Sequence, residues 1–194
     1  MTRHLRLTPD AISCNAAISA CAKGGQWQCA LTLFGSMPHL RVPADVISCG
    51  AAITACRTDG QWRRAFELIG FMPQLHIAPN AIGCSAAMCA CEMDGFWQGA
   101  FALLDGMPSR HLVPDVLSCN AAISACERGG QWQCAIALFA GMPFLRIRPD
   151  VISCSATMSV SEKSGRGQRS LALFASMPQL RITANAVSCN SAIS

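Results

Sequence analysis

Ser13-Cys14-Asn15-Ala16-Ala17-Ile18-Ser19-Ala20-Cys21 returns as Ser118-Cys119-Asn120-Ala121-Ala122-Ile123-Ser124-Ala125-Cys126, identical after a shift of 105 residues. That shift is three steps of 35, and the steps between are occupied too. Cys14, Cys49, Cys84, Cys119, Cys154 and Cys189 keep the period, as do Met37, Met72, Met107, Met142 and Met177, each followed by Pro. Trp27, Trp62, Trp97 and Trp132 keep it as well, until Gly167 takes the fifth place. Self-similarity at a fixed period of this length marks a stack of supersecondary units rather than one closed core.

With Ala11 as the first position, the units are 11–45, 46–80, 81–115, 116–150 and 151–185. Residues 1–10 read as the tail of a preceding unit, because Arg6, Pro9 and Asp10 align with Arg41, Ala44 and Asp45. Residues 186–194 read as the start of a truncated one. The expectation is a fragment of a longer array, and unit 151–185 is degenerate. Gly165-Arg166-Gly167 replaces its Gly-Gly-Gln-Trp turn, and Ser161 stands where the other units have Cys.

Each unit predicts helix, glycine turn, helix, short loop. Asp10 is placed to cap a helix that begins at Ala11. Lys23 followed by Gly24-Gly25 is a helix stop. A second pattern runs from Gln26 through Trp27, Ala30, Leu31 and Phe34 to Met37, and Pro38 ends it. At about 100° per residue, Ala11, Cys14, Ile18 and Cys21 share one stripe, which is the expected buried face. Ile12, Asn15, Ser19 and Lys23 lie on the adjacent face. A single helix pair cannot bury such a stripe, so units must stack and equivalent residues must line up in columns. The fifth column reads Asn15, Gly50, Ser85, Asn120, Ser155. Variation confined to that column is the pattern of a linear readout surface.

Composition narrows the functional classes. Hydrophobic residues make up 52% and charged residues 13%, which excludes intrinsic disorder. No run reaches the roughly 18 to 20 apolar residues that a membrane helix needs. The net charge of +4 is compatible with nucleic acid and does not demand it. The 13 Cys include no CxxC pair, so neither a metal nor any other cofactor is expected, and the thiols are read as small, reduced core residues. His4, His39, His76 and His111 fall in predicted loops and join no nucleophile or carboxylate cluster, so no enzyme is predicted. The Trp residues are read as interhelical packing rather than base-stacking groups.

The period, together with Pro149-Asp150-Val151-Ile152-Ser153-Cys154, Ala125-Cys126-Glu127-Arg128-Gly129-Gly130 and Ala137-Leu138-Phe139-Ala140-Gly141-Met142, resembles the pentatricopeptide repeat family over the whole chain. The resemblance implies an all-α, right-handed α-solenoid of 35-residue helix-turn-helix repeats that binds single-stranded RNA at about one base per unit. It implies that the fifth and last residues of a unit choose the base. These are Asn15 with Asp45, Gly50 with Asn80, Ser85 with Asp115, Asn120 with Asp150, and Ser155 with Asn185. Read in that way the target is U-N-G-U-A, the Gly50 unit being blank. The second residues, Ile12, Ile47, Ile82, Leu117, Ile152 and Val187, would sandwich the bases, and Lys23, Arg128 and Lys163 would meet phosphates. A second basic column, Arg6, Arg41, His76, His111, Arg146 and Arg181, has no facing that sequence fixes. The family setting is mitochondrial or plastid RNA processing, editing, stability or translation, with other RNA-processing proteins as further partners and no membrane. No targeting peptide is read in this chain. A tetratricopeptide-like protein scaffold and a non-functional fragment are the alternatives. The family usually carries Tyr at the fourth place, where every unit here has Cys, which links the absence of Tyr to the surplus of Cys.

Overall fold

The computed structural model describes residues 9–165 and 167–176. Among them are ten α-helices: α1 (Ala11–Lys23), α2 (Trp27–Ser36), α3 (Val46–Arg57), α4 (Trp62–Phe71), α5 (Ala81–Asp94), α6 (Trp97–Ser109), α7 (Val116–Arg128), α8 (Trp132–Gly141), α9 (Val151–Lys163) and α10 (Gly167–Ser176). The fold is an all-α solenoid of helix pairs.

Local chemistry sets the start of each first helix. Asp10, Asp45, Asp115 and Asp150 are extended N-cap residues whose carboxylates accept the backbone N–H of Ser13, Ser48, Ser118 and Ser153 at 2.7–2.9 Å. Each serine hydroxyl in turn accepts the cap residue's own N–H. Two otherwise orphaned donors are thereby satisfied at each helix start. Asn80 caps α5 through Gly83 N–H at 2.8 Å, with no hydroxyl to return the bond. The turn between paired helices carries a left-handed glycine at Gly25, Gly60, Gly95, Gly130 and Gly165, with φ of 65–69°.

The ends of the second helices differ slightly from the sequence reading. Pro108 lies inside the last turn of α6, and Pro73 lies in a 3₁₀ turn over Met72–Leu75. One missing N–H so close to a helix end costs little. The chain then turns through Arg41, His76, His111 and Arg146, all left-handed at φ 57–60° and all exposed. The second basic column is therefore, over its described members, a column of turn residues. Arg6 and Arg181 lie outside the described residues.

The first helices pack on one another in an unbroken row, α1–α3–α5–α7–α9; α2, α4, α6 and α8 each pack on their own first helix and on the next, and α10 packs on α9. Met37, Met72, Met107 and Met142 form a buried column between the rows. In the inner units, burial reaches well beyond the single stripe expected. In α5 and α7, Ala86, Ala87, Ala90, Ala121, Ala122 and Ala125 are buried along with the Cys and Met or Ile positions. Small side chains let the first helices approach closely on both flanks. The cysteine expectation needs correction at this point. Cys49, Cys56, Cys84, Cys91, Cys119, Cys126 and Cys154 are buried free thiols, but Cys14 and Cys21 are only half-buried and Cys29 is exposed. α1 has no described helix pair packed on its other flank, and Cys29 faces outward from α2.

Candidate nucleic-acid interface

Stacking brings the fifth residue of one unit against the residue that caps the next unit's first helix. Asn15 Nδ2 donates to both carboxylate oxygens of Asp45, at 3.2 and 3.1 Å. Asn120 Nδ2 does the same to Asp150, at 3.1 and 3.2 Å. A carboxylate only accepts, so the orientation of each amide is fixed chemically. Burial works to raise the carboxyl of Asp45, but the Ser48 N–H, the Asn15 amide and the Ser48 hydroxyl together hold it below the ordinary carboxylate value.

The fifth-place side chains are deeply set, with Asn15, Ser85, Asn120 and Ser155 at 3–9% exposure. Among the described residues the buried side-chain polar atoms without a hydrogen-bond partner are Asn15 Oδ1, Ser85 Oγ and Asn120 Oδ1. All three belong to this column. Unsatisfied buried acceptors and hydroxyls are costly unless something fills them.

The second-place residues are the reverse case. Ile12, Ile47, Ile82, Leu117 and Ile152 are large, apolar and 55–78% exposed, one per unit along the same row. Two open cavities lie between successive members. One, of about 510 Å³, is lined by Ile47 and Ile82 together with Gly50 and Asn80. The next, of about 250 Å³, is lined by Ile82 and Leu117 together with Ser85 and Asp115. The second space thus has two apolar walls and the two polar side chains of its unit around it, whereas the first has Asn80 alone, because Gly50 brings no side chain. Asn185 and Val187 lie outside the described residues.

The thirteenth-place cations are less uniform. Lys23 and Arg128 are exposed. Lys163 is held by Glu127, with Nζ 2.8 Å from Oε1, and the same oxygen accepts the Ser159 hydroxyl at 2.6 Å. Burial pushes the carboxyl of Glu92 up against the attraction of Arg128. Acidic residues at the twelfth place therefore stand beside this basic column, a neutralisation the sequence reading did not include. That reading also passed over Thr54 and Arg57, which line both cavities. Their signal was a departure within a column, since Arg57 aligns with Ala22, Glu92, Glu127 and Glu162.

The Trp residues are half-buried on the side of the second helices. Trp27 Nε1 donates to Asp59 at 2.8 Å and Trp62 Nε1 to Asp94 at 3.0 Å, each bond reaching into the following unit. Trp62 also stacks on Phe96 with ring centroids 4.0 Å apart. Among the described residues no three His, Cys, Asp or Glu side chains converge as metal ligands would, and no helix is long and apolar enough to cross a membrane.

A family model described as the PPR repeat matches residues 12–42 and 117–147. No curated protein matches the chain in sequence. Among solved structures, maize PPR10 in complex with an 18-nt psaJ RNA element superposes with a TM-score of 0.79 at 25% identity, over 95% of this chain and 27% of that one. The PPR domain of Arabidopsis thaliana protein-only RNase P 1 in complex with tRNA gives 0.75 at 16% identity, over 89% and 91% of the two chains. Nuclear proteinaceous RNase P 2 of A. thaliana gives 0.77 at 15% identity, over 93% and 40%. The chain spans about a quarter of PPR10 and under half of the second RNase P. Period, helix pairing, family match and superposition agree: units 11–45 and 116–150 match the pentatricopeptide repeat, and the fold is the solenoid that such repeats build in the similar structures.

Proposed function

We propose that the chain binds single-stranded RNA along the row of first helices, one base per unit, with the 5′ end toward the N-terminus. The observation that carries this reading is the pair of Asn–Asp contacts whose remaining amide oxygens, Asn15 Oδ1 and Asn120 Oδ1, are buried without a partner. With Nδ2 directed at the carboxylate, the group each asparagine has left without a partner for a base is its acceptor Oδ1. Uracil presents a donor at N3–H to meet it, whereas cytosine presents another acceptor there. A site built to receive one hydrogen bond rejects the isostere that cannot make it. At Ser85 the open hydroxyl and the carboxylate of Asp115 suit the N1–H and N2–H donors of guanine. Ile12, Ile47, Ile82, Leu117 and Ile152 supply the faces between which bases stack. Lys23 and Arg128 are the phosphate contacts, with Lys163 joining them on release from Glu127. Asn185 and Val187 complete the last slots. The proposed activity is binding without catalysis. The proposed setting is a mitochondrion or plastid, where RNA processing, editing, stability or translation would use such a reader.

Support also comes from the two similar structures that hold RNA, an 18-nt element in one and tRNA in the other. The test is equilibrium binding of short labelled RNAs carrying U-N-G-U-A, with the first and fourth bases exchanged in turn for cytosine. Expected is a preference for uracil of about tenfold at each place, one hydrogen bond's worth. Equal affinity for U and C would remove the one-base-per-unit reading. No binding at low salt would remove RNA and leave the protein scaffold.

A further inference from the structure

In unit 46–80 the paired-residue reading has no side chain to work with, because Gly50 holds the fifth place. The structure makes that gap a chamber. Nothing lies within 4 Å of where a Cβ on Gly50 would stand. The cavity there is about 510 Å³, against about 250 Å³ at the next slot. Its polar lining consists of three hydroxyl side chains, Ser19, Thr54 and Thr58, and three nitrogen-bearing ones, Lys23, Arg57 and Asn80. Asn80 Oδ1 is taken by Gly83 N–H, so the amide offers its Nδ2 hydrogens. Lys23 and Arg57 also line the space, and no carboxylate does, whereas Asp115 lines the neighbouring cavity. Thr54 spends its hydroxyl proton on the Gly50 carbonyl at 2.7 Å.

Arg57 is the unusual member. The twelfth place is otherwise Ala22, Glu92, Glu127 and Glu162. Gly50, Thr54 and Arg57 follow the i, i+4, i+7 spacing of one helical stripe. Arg57 reaches across to α5, where its guanidinium sits beside the Cys89 thiol in the wall shared by the two cavities. Among the described residues the ion pairs are Arg64–Glu67 and Lys163–Glu127, and Arg57 enters neither, although its charge, with that of Arg128, acts on Glu92 of α5.

We infer that Arg57 is the base-reading residue of this unit and that it selects guanine in the second place of the target. Guanine presents O6 and N7 as adjacent acceptors, which the planar guanidinium fork meets with two bonds. Adenine places a donor beside N7 and opposes the same fork. A pyrimidine fills less of the chamber that the missing fifth side chain leaves. The target then reads U-G-G-U-A.

This inference rests on the RNA-binding reading above, and the experiment separates the two. Four RNAs differing only in the second base, each with uracil at the first and fourth, are titrated against the unaltered chain, Arg57→Gln and Arg57→Lys. Expected is a preference of the unaltered chain for guanine of about tenfold over the other bases. Arg57→Gln abolishes it, and Arg57→Lys abolishes it too, because a point charge lacks the fork. Both variants keep the uracil preference at the first and fourth places, which also shows that they fold. Equal affinity for all four second bases, with uracil preference intact, overturns this inference alone. So does a guanine preference that survives Arg57→Gln or Arg57→Lys, or an Arg57→Gln effect confined to the third base. Loss of binding to every RNA overturns both readings.

Discussion

Asp45 and Asp150 each do two things with one carboxylate. Each caps the first helix of the following unit and pins the asparagine of its own unit. This double use makes the orientation of the reading amide depend on the registry of two units. Two predictions belong here. Replacing Asn120 by Ser removes the lone acceptor, so binding to RNA with uracil in the fourth place falls about tenfold and guanine gains there, checked by competition titration. The second concerns acid. The carboxyl of Asp45 sits below its ordinary 3.8 in the folded chain, so its contribution to stability is present above that value and lost as the pH falls through the lower folded one. Asp45→Asn retains a capping side chain without the charge. Its melting temperature should therefore fall less steeply than that of the unaltered chain between about pH 4 and pH 2. Parallel slopes in thermal melts would rule this out.

At the level of helices, neighbouring units are joined on the outer row by aromatic latches. Trp27–Asp59 and Trp62–Asp94 fix how α2 and α4 sit against the turn of the following unit. Asp59→Ala should cost about 1 kcal/mol, read as a lower denaturant midpoint. At the seam between 81–115 and 116–150, Gly129 takes the place of that aspartate. Restoring an acid there should not help. A Cβ on Gly129 would meet the Gly95 carbonyl oxygen at 2.8 Å and Trp97 Cδ1 at 2.9 Å. Gly129→Asp should therefore destabilise by about 1–3 kcal/mol through overpacking, despite offering Trp97 a carboxylate. A stabilised variant in urea titration would contradict the close approach of the two turns.

Across the whole molecule, stability is a sum over units and the seams between them, so its weakest stretch is identifiable. Unit 151–185 has Ser161 and Thr157 buried in the first helix, their hydroxyls turned back onto carbonyls of their own helix. It also lacks the Gly-Gly-Gln-Trp turn. Amides of 151–163 should exchange at least roughly tenfold faster than those of 81–94, and equal protection would refute this. The thiols differ in burial along the chain. Burial pushes Cys91 and Cys126 up to about 12, and Cys56, Cys119 and Cys154 up to about 11. At pH 8 these are almost wholly protonated and shielded, so an alkylating reagent should mark exposed Cys29 well before them, as followed by mass spectrometry.

The sequence alone determined the period, the helix pair, the helix starts and the columns. These rest on contiguous signals: Asp before Ile-Ser, paired glycines after a basic turn, and Met-Pro at the close of the second helix. Even the cap serine was local, three residues from its aspartate. Tertiary structure alone decided what happens between units. Asn15 and Asp45 are 30 residues apart and meet because α1 and α3 stack with one particular offset. The same offset buries alanines that the stripe left outside, buries most but not all of the cysteines, and carries Trp27 to Asp59. It also puts Arg57 in the wall of the Gly50 chamber, at a position the column pattern showed only as an exception. Propensity and periodicity fix what each unit is. The rise and rotation from one unit to the next follow from the fit of side chains on both flanks, which no single unit encodes.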